Sequence, residues 1–162
     1  MTESAARLRG YSMALAVLGV DQLTKRLALS GLELHSPVEV LGQLFRLTLA
    51  WNSGAAFSLP WGGPLFLAVI TGAAAVLVAV FIWRLASRST VYLLGLGAIL
   101  GGALGNFLDR LFYGSVVDFI DVGIGLRRWP VFNVADIAIT VGGLIVFLAH
   151  WKTSSRSGSE ED

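Results

Sequence analysis

The sequence predicts an all-α integral membrane protein with four transmembrane helices. Three observations carry that expectation. Of 162 residues, 55% are hydrophobic and only 14% are charged, whereas an ordinary soluble domain carries about 25% charged residues. Mean hydropathy is +0.72. Apolar runs close to the roughly 20 residues that a membrane-crossing helix needs recur along the chain. The length allows one domain, residues 1–162. A net charge of +1 gives no electrostatic footprint for nucleic acid. With no cysteine, a disulfide framework, a thiol nucleophile and a thiolate metal site are all excluded. Glycine is abundant at 19 residues against four prolines, and glycine in apolar helices lets backbones approach closely in lipid.

The first span is expected over residues 9–29. It is the least apolar: Tyr11 to Val20 is clean, then Asp21, Thr24, Lys25 and Arg26 precede Leu27 to Leu29. Arg7 and Arg9 before a short apolar core also fit a cleaved secretory signal. No small-x-small cleavage site follows, and Asp21 with Lys25 is foreign to such a signal, so the segment reads as a retained helix. Residues 65–84 form the second span, with no charge from Leu65 to Trp83. Residues 90–108 form the third, with Asn106 near its end, and residues 131–151 the fourth, broken by Asn133 and Asp136 near its start.

The connections are uneven. Arg84 to Ser89 is a short turn, while Ser30 to Pro64 and Asp109 to Pro130 are long. Within the first long loop, Leu44 to Trp51 (LFRLTLAW) partly alternates and is strand-prone. Asn52-Ser53-Gly54 then signals a turn, so a small sheet resting on the membrane surface is expected. The Ser-, Gly- and Glu-rich tail over 153–162 is expected to be disordered. No internal repeat is present.

Alternation of four spans places the end of helix one, the end of helix three, the start of helix four and both long loops at one membrane face. Asp21 and Lys25 stand at i, i+4; Asn106, Asp109 and Arg110 at i, i+3, i+4; Asn133 and Asp136 at i, i+3. Each set lies along one side of its helix, and all three meet at that face. Intramembrane charges are costly and face a bundle interior or a water-filled cavity. Asp21 with Lys25, and Asp109 with Arg110, read as ion pairs that lock helices together rather more than as catalytic groups. Asn133 can equally bond a neighbouring backbone. Asp136 has no basic residue near it in sequence, and the preceding loop supplies Asp118 and Asp121. Charge does not orient the chain: six Lys or Arg fall on each face, a tie under the positive-inside rule.

The residue inventory limits the chemistry. His35 is in a loop and His150 is at the opposite face, which disfavours a His-rich metal centre or a Ser-His-Asp triad. A Ser–Lys dyad through Lys25 with Ser53 or Ser115 is weakened by Asp21, which holds Lys25 protonated. Carboxylates remain. Two aspartates sharing a proton can hold and activate a water, one as base and one as acid, and Asp136 with Asp118 or Asp121 meets that requirement.

Five segments carry a resemblance: Asp21-Gln22-Leu23-Thr24-Lys25, Asn52-Ser53-Gly54-Ala55-Ala56-Phe57, Gly105-Asn106-Phe107-Leu108-Asp109-Arg110, Val116-Val117-Asp118-Phe119, and Phe132-Asn133-Val134-Ala135-Asp136. In this order the chain resembles the lipoprotein signal peptidases, the bacterial type II signal peptidases, over all but its first ten residues and its acidic tail. The resemblance implies a metal- and cofactor-free aspartic endopeptidase that cleaves the signal peptide of diacylglyceryl-modified prolipoproteins, embedded among membrane lipid and inhibited by the cyclic peptide globomycin. It implies four helices with a small periplasmic β-cradle and a surface helix, in the bacterial inner membrane, with both termini cytoplasmic and the active site near the periplasmic face. It puts the dyad on Asp118 and Asp136. Asp21, Lys25, Asn52, Gly54, Asn106, Asp109, Arg110, Asn133 and Ala135 match motif positions around the site, binding substrate or supporting the dyad. The main rival is a small proton-coupled transporter or channel subunit with Asp136 as relay. A non-catalytic membrane scaffold is a second, and it leaves Asp118 and Asp136 without a purpose.

Overall fold

The structure is a computed structural model and describes residues 2–54 and 64–157, the side chains of 64 and 152–157 excepted. Its elements run α1 (Glu3–Gly31), β1 (Val38–Leu41), β2 (Phe45–Asn52), α2 (Pro64–Arg84), α3 (Thr90–Tyr113), β3 (Val116–Ile124), β4 (Arg127–Arg128) and α4 (Val134–Ser157). The chain is mostly helical, with one small antiparallel sheet in the order β1-β2-β3-β4.

Among the described residues, three helices are long and apolar enough to cross a membrane: Leu65–Arg84, Thr90–Tyr113 and Val134–Trp151. At 1.5 Å per residue, the 20 residues of the first reach about 30 Å, the thickness of a hydrocarbon core. α1 has the length, at 29 residues, but Asp21, Lys25 and Arg26 interrupt its apolar character, and it stands outside that set. Of the four expected spans, length and composition thus single out three.

Helix ends differ from expectation for local reasons. α3 continues five residues past 108, to Tyr113, and stops at Gly114, whose φ of 70° is the left-handed cap that glycine adopts without a Cβ clash. α4 starts at Val134, not 131, because Phe132 is drawn into a β-bridge with Ile120. It runs on to Ser157, so residues 153–157, whose composition reads as tail, are helical. Residues 158–162 lie outside the described residues. No separate surface helix occurs among the described residues, and 55–63 of the first long loop lie outside them.

α3 is the centre of the bundle and packs against each of the other three helices. Its small residues make this possible. A Cβ at Gly97 or Gly101 would run into the α1 backbone at Gly10 or Ala14, and one at Gly102 would run into the α4 carbonyl of Ala135. Leu93, Leu96 and Leu100 fill the remaining space with Ala6, Ala14, Ala75 and Ile82. In lipid, where apolar surface gains little from burial against apolar surface, such close packing is what holds helices together.

The sheet roofs this bundle at the end where α3 stops and α4 begins. β2 pairs with β3 in the register Ala50↔Asp118, Trp51↔Val117 and Asn52↔Val116, after an irregularity between Leu47 and Ala50. That register brings Asn52, from the first long loop, beside Asp118, from the second.

Gly102→Ala should lower the thermal midpoint in detergent by several degrees, from an overpacking cost of about 1–3 kcal/mol. Gly143→Ala, where an added Cβ meets nothing, should leave it unchanged or raise it. Differential scanning fluorimetry of the two purified variants checks the pair.

Candidate active site

The polar helix ends meet beneath the sheet. Lys25 is 2% exposed, Asp21 0% and Asp109 2%. The Lys25 Nζ lies 2.8 Å from Asp21 Oδ2 and 2.8 Å from Asp109 Oδ2, and donates to Asn106 Oδ1 at 3.0 Å. All three N–H bonds of the ammonium are thereby used, which removes the Ser–Lys dyad. The two carboxylates reach further. Asp21 Oδ1 accepts from Ala135 N at 2.9 Å, and Asp109 Oδ2 accepts from Val117 N at 3.1 Å.

The expected Asp109–Arg110 pair does not form. Adjacent residues on a helix point about 100° apart and do not face each other. Asp109 turns to α1, whereas Arg110 turns to α2, donating to Thr71 Oγ1 at 3.4 Å and to Asn106 O at 3.3 Å. Its buried Nε has no partner among the described residues. Gln22 is the residue that sequence reasoning missed: its side-chain Nε2 donates to Asp109 Oδ1 at 3.0 Å and to Gly105 O at 3.3 Å. An uncharged amide beside Asp21 in an apolar helix was the available signal.

Asn133 is the pivot of the second cluster. Its backbone N–H donates to Asp136 Oδ2 at 3.2 Å, and Asp136 N donates back to Asn133 Oδ1 at 3.0 Å. This reciprocal capping pattern starts α4. The Asn133 Nδ2 donates to Asp118 Oδ1 at 2.7 Å, so one asparagine touches both carboxylates. Asn106 Nδ2 donates to Asp136 Oδ1 at 2.8 Å, and Asn52 Nδ2 to Asp118 Oδ2 at 3.0 Å. Gly54, at φ 77°, closes an Asx-turn by donating its N–H to Asn52 Oδ1 at 2.9 Å. Ala135 is fully buried between these clusters.

Asp118 is buried, and burial pushes its carboxyl up from 3.8 to about 6, helped by the charge of Asp136 and opposed by the N–H groups of Asn52 and Asn133. Asp121 behaves in the opposite way. Burial works against its charge, but donors on Arg128, Thr48 and Arg46 hold it below the usual carboxylate range. Arg46 and Arg128 pair with it at 3.0 and 2.7 Å, and it stands apart from the Asp118–Asp136 cluster as a sheet-locking ion pair. A cavity of about 290 Å³ opens beside Asp136, lined by Trp129, Phe132, Ile137, Thr140 and Val141. Among the described residues, no three His, Asp or Glu side chains gather in a metal-holding group.

Helices long and apolar enough to cross a membrane, with Asp136 on an apolar cavity and Asp118 buried behind it on the same asparagine, describe a membrane protein with a polar site at its helix ends. The fold agrees: a bacterial membrane enzyme solved by the in meso method at 1.9 Å matches with a TM-score of 0.79 and 31% identity, over 86% of this chain and 90% of that one. The chain belongs to the signal peptidase II family, whose model matches residues 13–152, and it is a protease of the bacterial membrane. The lipoprotein signal peptidase of Pelodictyon phaeoclathratiforme is 38% identical over 151 residues, 88% of this chain and 89% of that protein. Those of Bacillus subtilis and Francisella tularensis subsp. novicida are 35% and 40% identical, each over 93% of this chain and over 98% and 96% of their own lengths. The family that the five motifs resemble is the family shown.

Lys25→Met should destabilise the fold by about 3–5 kcal/mol, because it strands two buried carboxylates; unfolding in mixed micelles measures this. Asp118 supplies a second check. Its folded value, about 6, lies above its unfolded 3.8, so the folded chain binds that proton more tightly. The stability from this group is present at low pH and lost as pH climbs from 3.8 to about 6. Asp118→Asn has no such loss. Its thermal midpoint, taken relative to the parent, should rise across this window and level off above it.

Proposed function

We propose that this protein is an aspartic endopeptidase that removes the signal peptide from diacylglyceryl-modified prolipoproteins, hydrolysing the peptide bond before the lipidated cysteine. The single observation that carries the reading is Asn133, which holds Asp118 and Asp136 together beside an open cavity. Family membership supplies the substrate class.

In this reading a water sits between the two carboxyl groups. The ionised aspartate takes a proton from the water as its oxygen attacks the scissile carbonyl carbon. The other, protonated, donates to the carbonyl oxygen as it becomes tetrahedral. Collapse breaks the carbon–nitrogen bond. The aspartate that took the water proton passes it to the departing cysteine nitrogen, and the first acid recovers its own. Burial under the influence of the Asp136 charge favours Asp118 as holder of the shared proton. Asn106 and Asn133 orient the carboxylates. Arg110, with its unused buried Nε, offers a donor to the substrate backbone. The Asn52–Gly54 turn lets an extended peptide approach closely, since glycine presents no side chain.

The same reading makes α1 a fourth span, with both termini cytoplasmic and the sheet as the periplasmic cradle over the inner membrane. The substrate's acyl chains stay in the bilayer while its peptide reaches the helix ends, and globomycin inhibits the enzyme.

Asp118→Asn and Asp136→Asn should each slow cleavage of a lipidated prolipoprotein in detergent by at least about a hundred-fold, while remaining folded. Asp121→Asn should keep turnover within a few-fold. Near-normal cleavage by either of the first two sinks the dyad. Globomycin-sensitive cleavage by the parent separates the peptidase from a proton-relay transporter.

A further inference from the structure

The sheet carries apolar side chains that nothing among the described residues covers. In the β3–β4 turn, Leu126 is 103% exposed, and Ile124 and Trp129 beside it are 75% and 68% exposed. Around the β1–β2 turn, Leu41 and Leu44 are 68% and 61% exposed. The two turns are fastened to each other. Gly123 N donates to Leu44 O at 3.1 Å, and the Arg128 guanidinium donates to Gln43 O. They form one apolar edge, about 20 Å along β3 from Asp118 at some 3.3 Å per residue.

The charge on this edge is mixed, with three arginines, Arg46, Arg127 and Arg128, against Glu39 and Asp121. Arg46 and Arg128 are engaged by Asp121. Glu39 stands in register opposite Arg46 on the neighbouring strand. Arg127, next to Leu126, is exposed; its backbone pairs with Ile124, and its side chain has no hydrogen bond or ion pair among the described residues. A free cation between exposed leucine and tryptophan is the composition of segments that lie in a membrane interface.

Chain continuity favours the bilayer over a soluble partner. β3 follows directly from α3, and β4 leads into α4, both of them helices long and apolar enough to cross a membrane. The apolar edge is therefore carried beside the ends of the spans, within reach of the lipid surface that they enter.

We propose that the joined β1–β2 and β3–β4 turns insert into the headgroup region of that membrane, with Leu41, Leu44, Ile124, Leu126 and Trp129 at the acyl boundary and Arg127 on the phosphate of an anionic phospholipid. Trp129 also lines the cavity beside Asp136, so this contact sets the height of the cavity rim above the acyl chains. The inference does not depend on which residues cleave the substrate.

The chain has no cysteine, so single nitroxide labels can be placed without background. Leu126→Cys and Leu41→Cys report on the edge, and Glu3→Cys gives the aqueous reference. Each is reconstituted in phosphatidylcholine vesicles with and without phosphatidylglycerol, and collision with oxygen is compared with collision with a water-soluble nickel chelate. Oxygen should dominate at 126 and 41 in the anionic vesicles. Arg127→Gln, or omission of phosphatidylglycerol, should shift the balance at 126 toward water by about five-fold, the worth of one basic contact with an anionic surface. Labels at 126 and 41 as open to the nickel chelate as the label at 3 overturn the insertion. Insertion indifferent to both phosphatidylglycerol and Arg127 overturns the anionic-headgroup assignment.

Discussion

The ammonium of Lys25 is the point on which the rest of the structure depends. It is a full charge with almost no access to water, and such a charge is tolerable only with partners on every N–H. Its partners come from two helices, and their own second contacts reach two further elements. Asp21 extends to the α4 backbone at Ala135, and Asp109 extends to the β3 backbone at Val117. One cation thus fixes α1, α3, α4 and β3 at a common point. The same ammonium also sets the polarity of its neighbour. Lys25 can only donate, so Asn106 must turn its oxygen toward it. The Asn106 N–H₂ is then left facing Asp136. A structural ion cluster in this way dictates which groups a carboxylate one layer above it meets.

That cluster exists only because α3 is nearly bare on two sides. A side chain at Gly105 would occupy the space of the Asp21 carboxylate, and one at Gly102 would press on the carbonyl of Ala135, the residue whose N–H Asp21 accepts. Close packing and the buried charges are therefore one requirement seen from two directions. In lipid the helices have little apolar driving force toward one another, and the polar contacts at their ends add the specificity that glycine contacts alone lack. The result is a bundle whose apolar half is held by proximity and whose polar half is held by charge.

How much of this was readable in the sequence follows from the range of each interaction. Apolar runs and the spacing of Asp21, Lys25, Asn106, Asp109, Asn133 and Asp136 are local, and they announced both the helices and the convergence of their polar ends. The five motifs pointed to the family. The partner of Asp109 was misread because sequence proximity to Arg110 outweighed helix geometry. The capping role of Asn133 hid the start of α4, since Val131 and Phe132 continue the apolar run while their backbone turns to the sheet. β1, β3 and β4 were missed where β2 was not: β2 has a partly alternating apolar pattern, whereas β3 reads VVDFIDVGI and is buried on both faces for much of its length. The register that sets Asn52 on Asp118 depends on an irregularity in β2, and no property of either segment alone reveals it.

Placing Asp118 on a strand and Asp136 in the first turn of a helix has a consequence for the proposed chemistry. The two carboxylates come from different elements and meet different surroundings. Here the strand aspartate is enclosed and its carboxyl rises to about 6. The helix aspartate is half-buried beside an open cavity, with an N–H donor on each oxygen. In the proposed chemistry one group gives a proton while the other takes one, and the two are held in unlike surroundings. Asn133 supplies the link without erasing the difference: its side-chain N–H₂ goes to the strand aspartate, and its backbone N–H goes to the helix aspartate. Substituting Asn133 therefore removes a donor from Asp118 and the side-chain cap from α4 in one step while its backbone N–H stays on Asp136, whereas substituting Asn52 removes a donor from Asp118 and opens the Asn52–Gly54 turn. The site's asymmetry is a product of the sheet roofing the bundle, and a four-helix bundle without the sheet would have no second environment to offer.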